Sequence, residues 1–385
     1  MPGGSSQPRW LALDARVFVL EARRAAMAMI EEERRPVDHA QVEEFVGRAV
    51  ADVAGAMVTA FCAVGDRLGL FKALAGRPAT SEELATATGL HERYVREWAN
   101  GLVAAGYLIR DPETEKYVVP PEHVPVLADE GGLAFLGGLY QLVREMLGTI
   151  DVVERSFREG GGISLEEYRD EFWIGLERLT GPAFDHQLVQ EWIPAVSGLE
   201  ERLRAGASIA DVGTGTGIAP IRIAQAFPAV RVTGFDVHVP NIDQAAETAQ
   251  REGVSDRVRF EQVDAVKQIP GRYDVITMFA VVHDTSDPLA LLRNARDALE
   301  DDGVVLIDEL NSYETPEAHP QPMGPMIYGF SLLHCTPQAL ARGDVALGAA
   351  GLPEPRLREL CAAAGFSSVE RVWEGPLDAV YAVRP

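Results

Sequence analysis

Cysteine is scarce in this chain. Only Cys62, Cys335 and Cys361 occur among 385 residues, scattered without the paired spacings that hold zinc. A disulfide scaffold is thereby excluded, no metal is expected, and a reducing, cytoplasmic compartment suits the thiols. Positive charge is short as well: 35 Lys and Arg stand against 58 Asp and Glu, a formal charge of −23. Such a balance repels nucleic acid and anionic membranes, so neither is expected as a partner. An uninterrupted apolar run is missing too. The stretch from Leu11 to Ile30 is broken by Asp14, Arg16, Glu21, Arg23 and Arg24, and reads as an amphipathic helix. The start, MPGGSSQPRW, has no basic-then-apolar order and reads as neither leader nor ordered structure. What is present is 47% hydrophobic residues, enough at this length for two domains.

The richest segment is SIADVGTGTGIA, Ser208 to Ala219. An apolar run meets Asp211, then Gly213, Gly215 and Gly217 alternate before the helical pattern IAPIRIAQAF. Glycines here let a strand bend tightly into a helix and let backbone approach a ligand. A dinucleotide fingerprint needs a third glycine where Ile218 or Pro220 stands, and no Lys-Ser/Thr pair follows to make a P-loop. The remaining pattern, acidic-x-G-x-G-x-G, suits S-adenosyl-L-methionine rather than a pyrophosphate. Downstream, VRVTGFDVH is a second strand ending near Asp236, a carboxylate placed for ribose hydroxyls. The helix of NIDQAAETAQREG follows, then VRFEQVD, ending in Asp264, then YDVITMFAVVHD. A helix over Pro288 to Leu299 leads into a fifth strand, DDGVVLIDEL. The alternation predicts an α/β, Rossmann-like, doubly wound parallel sheet with a ligand crevice at its carboxyl edge.

On these residues, Ser208 to Ser312 resembles a class I S-adenosyl-L-methionine-dependent methyltransferase core. The resemblance implies a donor site bordered by Asp211, Gly213, Thr214, Gly215 and Gly217. It places Asp236 and Val237 at the ribose, Asp264 and Ala265 at the adenine, and Met278 beside them. S-adenosyl-L-homocysteine would be the product. HDTSDPLALLRNARDALEDDGVVLIDE resembles the catalytic segment of plant-type small-molecule O-methyltransferases, with His283 in the histidine's place and Thr285 where that family has tryptophan. Glu309 falls on its first catalytic acid and Glu354, twelve residues before Phe366, on its second. FREGGGISLEEY and LHCTPQALARGDVALG resemble bacterial winged-helix methyltransferases.

The first 200 residues differ in pattern. Residues 1–44 form a partly helical extension, with Pro36 between two helical stretches. In 45–130, a long apolar helical segment (AVADVAGAMVTAFCAVGDR) precedes a helix opened by Thr80 with Glu83 in the capping-box position. HERYVREWANGLVAAGYLIRD and PETEKYVVP then give a second helix and a two-stranded ribbon: a winged helix, mostly α, read as a dimerisation domain. The surplus apolar surface of the long segment calls for a second copy of the chain. A DNA-binding role for this module is disfavoured, because Glu92 and Glu97 lie among Arg93 and Arg96, and the ribbon is acidic. Residues 131–203 read as a helical connector and substrate lid, with the EGGG break as a hinge, and 204–385 as the methyltransferase domain. Trp173, His186, Phe279, Tyr328 and His334 are candidate contacts for a small, partly hydrophobic acceptor.

Methyl transfer from a sulfonium needs aim and exclusion of water rather than metal. His283, just past the fourth strand, can act as general base toward a hydroxyl, with Glu309 or Glu354 fixing its tautomer. Asp284 is read as a helix cap. A carboxylate acceptor would need no base, and the fold also supports non-methylating reactions, so both alternatives stay open.

Overall fold

The computed structural model describes residues 37–343 and 345–385. The Leu11–Ile30 helix and the break at Pro36 lie outside the described residues. Contacts part the chain between Met57 and Val58. The helix His39–Arg67 runs across this division, and its part in the first unit presents Val42, Phe45, Val46, Val50, Val53 and Met57 to solvent. By length and composition this helix could also cross a membrane: its apolar window has a mean hydropathy of 1.5 and is 6% buried. It is the only such helix among the described residues.

The second unit, Val58–Pro385, holds the winged helix, the connector and the sheet together, so its contacts do not break at residues 130 and 203. In the winged helix, the helix Ser81–Thr88 begins as the sequence predicts. The Thr80 hydroxyl accepts from the Glu83 N–H (3.3 Å) and the Thr80 N–H donates to Glu83 Oε2 (3.0 Å). The helix Glu92–Ala104 buries Val95, Trp98, Ala99 and Leu102, with Trp98 Nε1 donating to the Phe61 carbonyl at 2.9 Å. The wing is minimal: β1 (Ile109–Arg110) pairs antiparallel with β2 (Tyr117–Val118).

The main sheet has seven strands in the order β5-β4-β3-β6-β7-β9-β8. β3 (Ser208–Val212), β4 (Arg231–Asp236), β5 (Val258–Gln262), β6 (Tyr273–Phe279) and β7 (Leu299–Leu310) run parallel. These five strands and their helices match the sequence expectation. Strands covered on both faces are nearly continuous apolar runs, as in SIADV and YDVITMF, and apolar residues on both faces of the sheet are buried. The antiparallel pair β8 (Ser368–Glu374) and β9 (Asp378–Arg384) was not anticipated. β8, with Glu370, Arg371 and Glu374, is the half-exposed edge strand, whereas β9 lies between β7 and β8 with Ala379 to Val383 buried. Chain order reverses between β3 and β6, which opens a crevice at their carboxyl ends.

Over that crevice lie the helices Gly137–Leu147 and Asp170–Ala183 and a wide π-helical turn, Phe184–Trp192. The glycine break at 160–162 serves as a docking point: the Ile163 N–H donates to the Pro337 carbonyl at 3.0 Å. Gly162 permits that close approach of two backbones, since a Cβ there would meet the Pro337 carbonyl and the Ala341 nitrogen, while Gly160 and Gly161 have open space; the sequence suggested a hinge.

Gly217 begins the helix Ile218–Ala226 at φ +80°, and a Cβ there would sit 2.7 Å from the Phe260 ring and 2.9 Å from Ala245. Gly217→Ala should therefore lower stability by about 1–3 kcal/mol, from overpacking and positive-φ strain together. Urea denaturation checks this, and an unchanged midpoint would contradict it.

Candidate functional site

The bend after β3 is tied to the end of β4. The N–H groups of Gly213 and Thr214 both donate to the Phe235 carbonyl, at 2.8 and 3.0 Å. Asp236 closes the join: its Oδ2 accepts from the Gly215 N–H (2.9 Å) and its Oδ1 from the His238 N–H (2.8 Å). Burial raises the Asp236 pKa despite these two donors. Each carboxylate oxygen keeps a lone pair for a further donor. Gly215 has open space where a Cβ would be, and buried Thr214 Oγ1 has no partner. A backbone cradle with spare acceptors and an orphan hydroxyl fits the polar edge of a nucleoside. Asp211 lies beneath, accepting from Thr277 Oγ1 at 2.5 Å, and burial pushes its carboxyl up to about 6.

These groups open into a cavity of about 720 Å³, well within the range of small-molecule sites. Asp211, Gly213, Thr214, Gly215, Asp236, Val237, Asp264 and Ala265 line it. Asp264 Oδ1 accepts from the Val266 N–H (3.1 Å) and Oδ2 pairs with Lys267 (3.0 Å). Two residues expected with them are elsewhere. Met278 is fully buried in the sheet core, because the alternation of β6 turns it inward. Gly217 packs the helix onto Phe260 and Ala245 and does not line the cavity.

On the same cavity, His283 is clamped by Glu309. Glu309 Oε2 meets His283 Nδ1 at 2.5 Å, while Oε1 accepts from the N–H groups of Val282 (2.7 Å) and His283 (3.3 Å). One carboxylate thus fixes both the ring and the backbone that carries it. Nδ1 is the protonated nitrogen in this arrangement, which leaves Nε2 for proton exchange. Burial works against a charged ring here. The carboxylates of Glu309 and Asp284 outweigh it and hold the His283 pKa well above the ordinary value.

Asp284 was expected as a cap, but Asp287 fills that place and accepts from the Ala290 N–H at 3.0 Å. The signal was legible, since Asp287 precedes Pro288 at the first helical position. Asp284 instead faces two imidazoles, with carboxylate oxygens 3.6 Å from His283 Nε2 and 3.7 Å from His334 Nε2. Burial would raise its pKa, but the two imidazoles hold it below the usual carboxylate range. Its carbonyl is gripped by Gln338 and Arg342, both of which also line the cavity. Sequence reasoning noted their segment, LHCTPQALARGDVALG, only as a resemblance and did not single out these two, because they lie more than fifty residues from Asp284 in the chain. His283, Asp284 and Cys335 bring one donor atom each within 4.8 Å of one another. Burial pushes the Cys335 thiol up to about 12, so it presents a protonated sulfur rather than a thiolate ligand.

The remaining site residues divide. Trp173 lines the cavity and lies 4.7 Å, ring to ring, from His238. Phe279 lines it against Phe184 (5.4 Å) and Trp192 (5.7 Å). His334 lines it between Tyr168 and Phe172. His186 is exposed, on the outer side of its turn, with Nε2 2.8 Å from the Gly131 carbonyl. Tyr328 is 39% exposed and packs on His319, while Met326, Ile327 and Phe330 of its helix reach the cavity instead. Glu354 is not at the site. It opens the helix Glu354–Ala363 and pairs with Arg358 (2.6 Å) and Arg371 (2.8 Å).

Comparison with known proteins matches two segments of the chain. Residues 56–129 match the Rv2258c-like winged HTH domain and residues 210–305 a methyltransferase domain. The release factor glutamine methyltransferase of Chlorobaculum tepidum is 31% identical over 186 residues, 46% of this chain and 57% of that protein. Another relative, an uncharacterised protein of Synechococcus, is 37% identical over 82 residues, 21% of this chain and 20% of that one. The chain thus spans less than two thirds of these curated relatives. Among solved structures, mitomycin 7-O-methyltransferase MmcR superposes with a TM-score of 0.66 at 21% identity, covering 90% of this chain and 99% of that one. PigF with SAH superposes at 0.67 and 19%, covering 88% and 98%. At these identities the likeness establishes the fold: a winged helix followed by an α/β methyltransferase domain.

Proposed function

We propose that this chain is an S-adenosyl-L-methionine-dependent O-methyltransferase acting on a hydroxyl of a small, partly hydrophobic molecule. The observation that carries the reading is the Glu309-clamped imidazole of His283 opening onto the same cavity as the glycine bend. MmcR is a 7-O-methyltransferase, and PigF was solved with SAH. Their likeness over most of this chain supports both activity and donor. Asp236 and the Gly215 backbone would hold the nucleoside, with Asp264 and Ala265 at its base. The donor, when bound, supplies a methyl group on a positively charged sulfur.

Every other step belongs to the chain. Trp173, Phe279 and His334 shape an apolar wall that excludes water and orients the acceptor. His283 Nε2 takes the hydroxyl proton, and Glu309 stabilises the resulting imidazolium while preventing the ring from turning. Raising the pKa of a base strengthens its pull on the proton but delays its availability to higher pH.

A second copy of the chain is the partner we propose for the His39–Arg67 helix, since an exposed row of Val, Phe and Met is costly to leave in water. A DNA-reading role is weaker. Arg93 and Arg96 are each paired with a glutamate four residues away on their own helix, and the charge of −23 opposes a polyanion. Three buried, free thiols fit a reducing cytoplasm.

His283→Ala is expected to reduce turnover by about 10²–10⁴-fold with donor affinity nearly unchanged. In the wild type, turnover should climb as pH passes a pKa above the ordinary histidine value, because the base form appears only there. Unaltered turnover in the variant removes the base role. Asp236→Ala should weaken S-adenosyl-L-homocysteine binding by about tenfold or more, the loss of charged-acceptor hydrogen bonds. Wild-type affinity in calorimetry would count against the ribose assignment. Val53→Glu is expected to convert a dimer to a monomer in sedimentation. A wild type that sediments as a monomer, or that floats with lipid vesicles, would exclude the dimer helix.

A further inference from the structure

The cavity contains more carboxyl groups than the proposed chemistry uses. Asp308 lies on β7 with Phe279 of β6 as its Cα partner on one side and Val380 of β9 on the other. Asp378 opens β9 opposite Leu310, two residues along β7 and therefore on the same face as Asp308. Both aspartates line the cavity. Asp308 is only 8% exposed, and its buried Oδ1 has no hydrogen-bond partner. A buried carboxyl left unpaired is costly and calls for something to satisfy it. Burial, together with the neighbouring charges of Asp378 and Glu309, holds the Asp308 pKa well above the usual range.

A second feature adjoins it. Phe279, the strand neighbour of Asp308, is packed against Phe184 and Trp192, and Trp192 against Trp373 at 5.6 Å. All four rings line the cavity, and buried Trp192 Nε1 also has no partner. Aromatic faces beside acidic groups attract cations, through the ring quadrupole and through charge. Among the described residues no lysine lines this cavity, and the one arginine that does, Arg342, is engaged with Gln338 and the Asp284 carbonyl. The cation nearest Asp308 in the wall is the His283 imidazole, which Glu309 already holds.

We propose that Asp308 and Asp378, walled by Phe184, Trp192, Phe279 and Trp373, form a subsite for a protonated amine, so that the acceptor is an amine-bearing aromatic or alicyclic alcohol. The inference rests on the methyl-transfer reading for the word acceptor, but the subsite itself does not. The ammonium would pair with the Asp308 carboxyl and restore its ionisation, while the ring it is attached to stacks among the aromatic residues. Asp308 and Asp378 would thus select the substrate, and His283 would act on its hydroxyl.

The test uses three probes of one shape on the full chain: 2-naphthylmethylamine, 2-naphthylmethanol and 2-naphthoate. Binding is followed by ligand-observed NMR and calorimetry near neutral pH, with and without S-adenosyl-L-homocysteine. The amine should bind about tenfold more tightly than the alcohol, with the carboxylate weakest. Asp308→Asn and Asp378→Asn, each checked for folding by circular dichroism, should bring amine and alcohol to near parity. Equal binding of all three, preference for the carboxylate, or no saturable binding of the amine would overturn the subsite. So would an amine preference that persists in both folded variants. Failure of S-adenosyl-L-homocysteine itself to bind would fall on the donor reading and leave the amine comparison intact.

Discussion

The site depends on the fastening of one strand end to its neighbour. Two N–H groups from the bend after β3 converge on the Phe235 carbonyl, and the Asp236 carboxylate reaches back to the Gly215 N–H. Parallel strands have their hydrogen bonds fully used within the sheet, so their carboxyl ends are where spare backbone donors emerge. Locking two such ends together turns a flexible glycine stretch into a rigid cradle. Everything the cavity offers to a ligand is measured from that edge.

A single carboxylate organises the opposite wall. Glu309 sits near the end of β7 and holds the imidazole of His283 along with the backbone N–H groups of Val282 and His283. Because β6 and β7 are adjacent and parallel, the histidine after one and the acid near the end of the other arrive together. Asp284 and His334 extend the cluster through burial and charge. Carboxyl groups outnumber basic side chains on the described cavity wall, which would suit the sulfonium of the proposed donor.

Legibility followed the kind of information each feature needed. The glycine bend, Asp236, Asp264, His283 and Glu309 were readable because their positions at strand ends are fixed by local alternation and by family resemblance. Glu354 was misplaced, since spacing along the chain cannot say which face of a helix meets a strand; it pairs with Arg358 and Arg371 instead. His186 and Tyr328 failed for the same reason, a rotation of about 100° per residue separating the inner from the outer face. Met278 failed by the two-residue period of a strand, which turns neighbours in opposite directions.

By itself the sequence determined the five parallel strands and their helices, the capped helix of the winged domain and the glycine bend after β3. Those depend on short-range pattern, where a glycine or a cap acts on its immediate neighbours. Tertiary structure alone decided that Asp284 faces two imidazoles, that Gln338 and Arg342 grip its carbonyl, and that Asp308 and Asp378 share one face. Those pairings join residues tens of positions apart, and only strand order and packing bring them together.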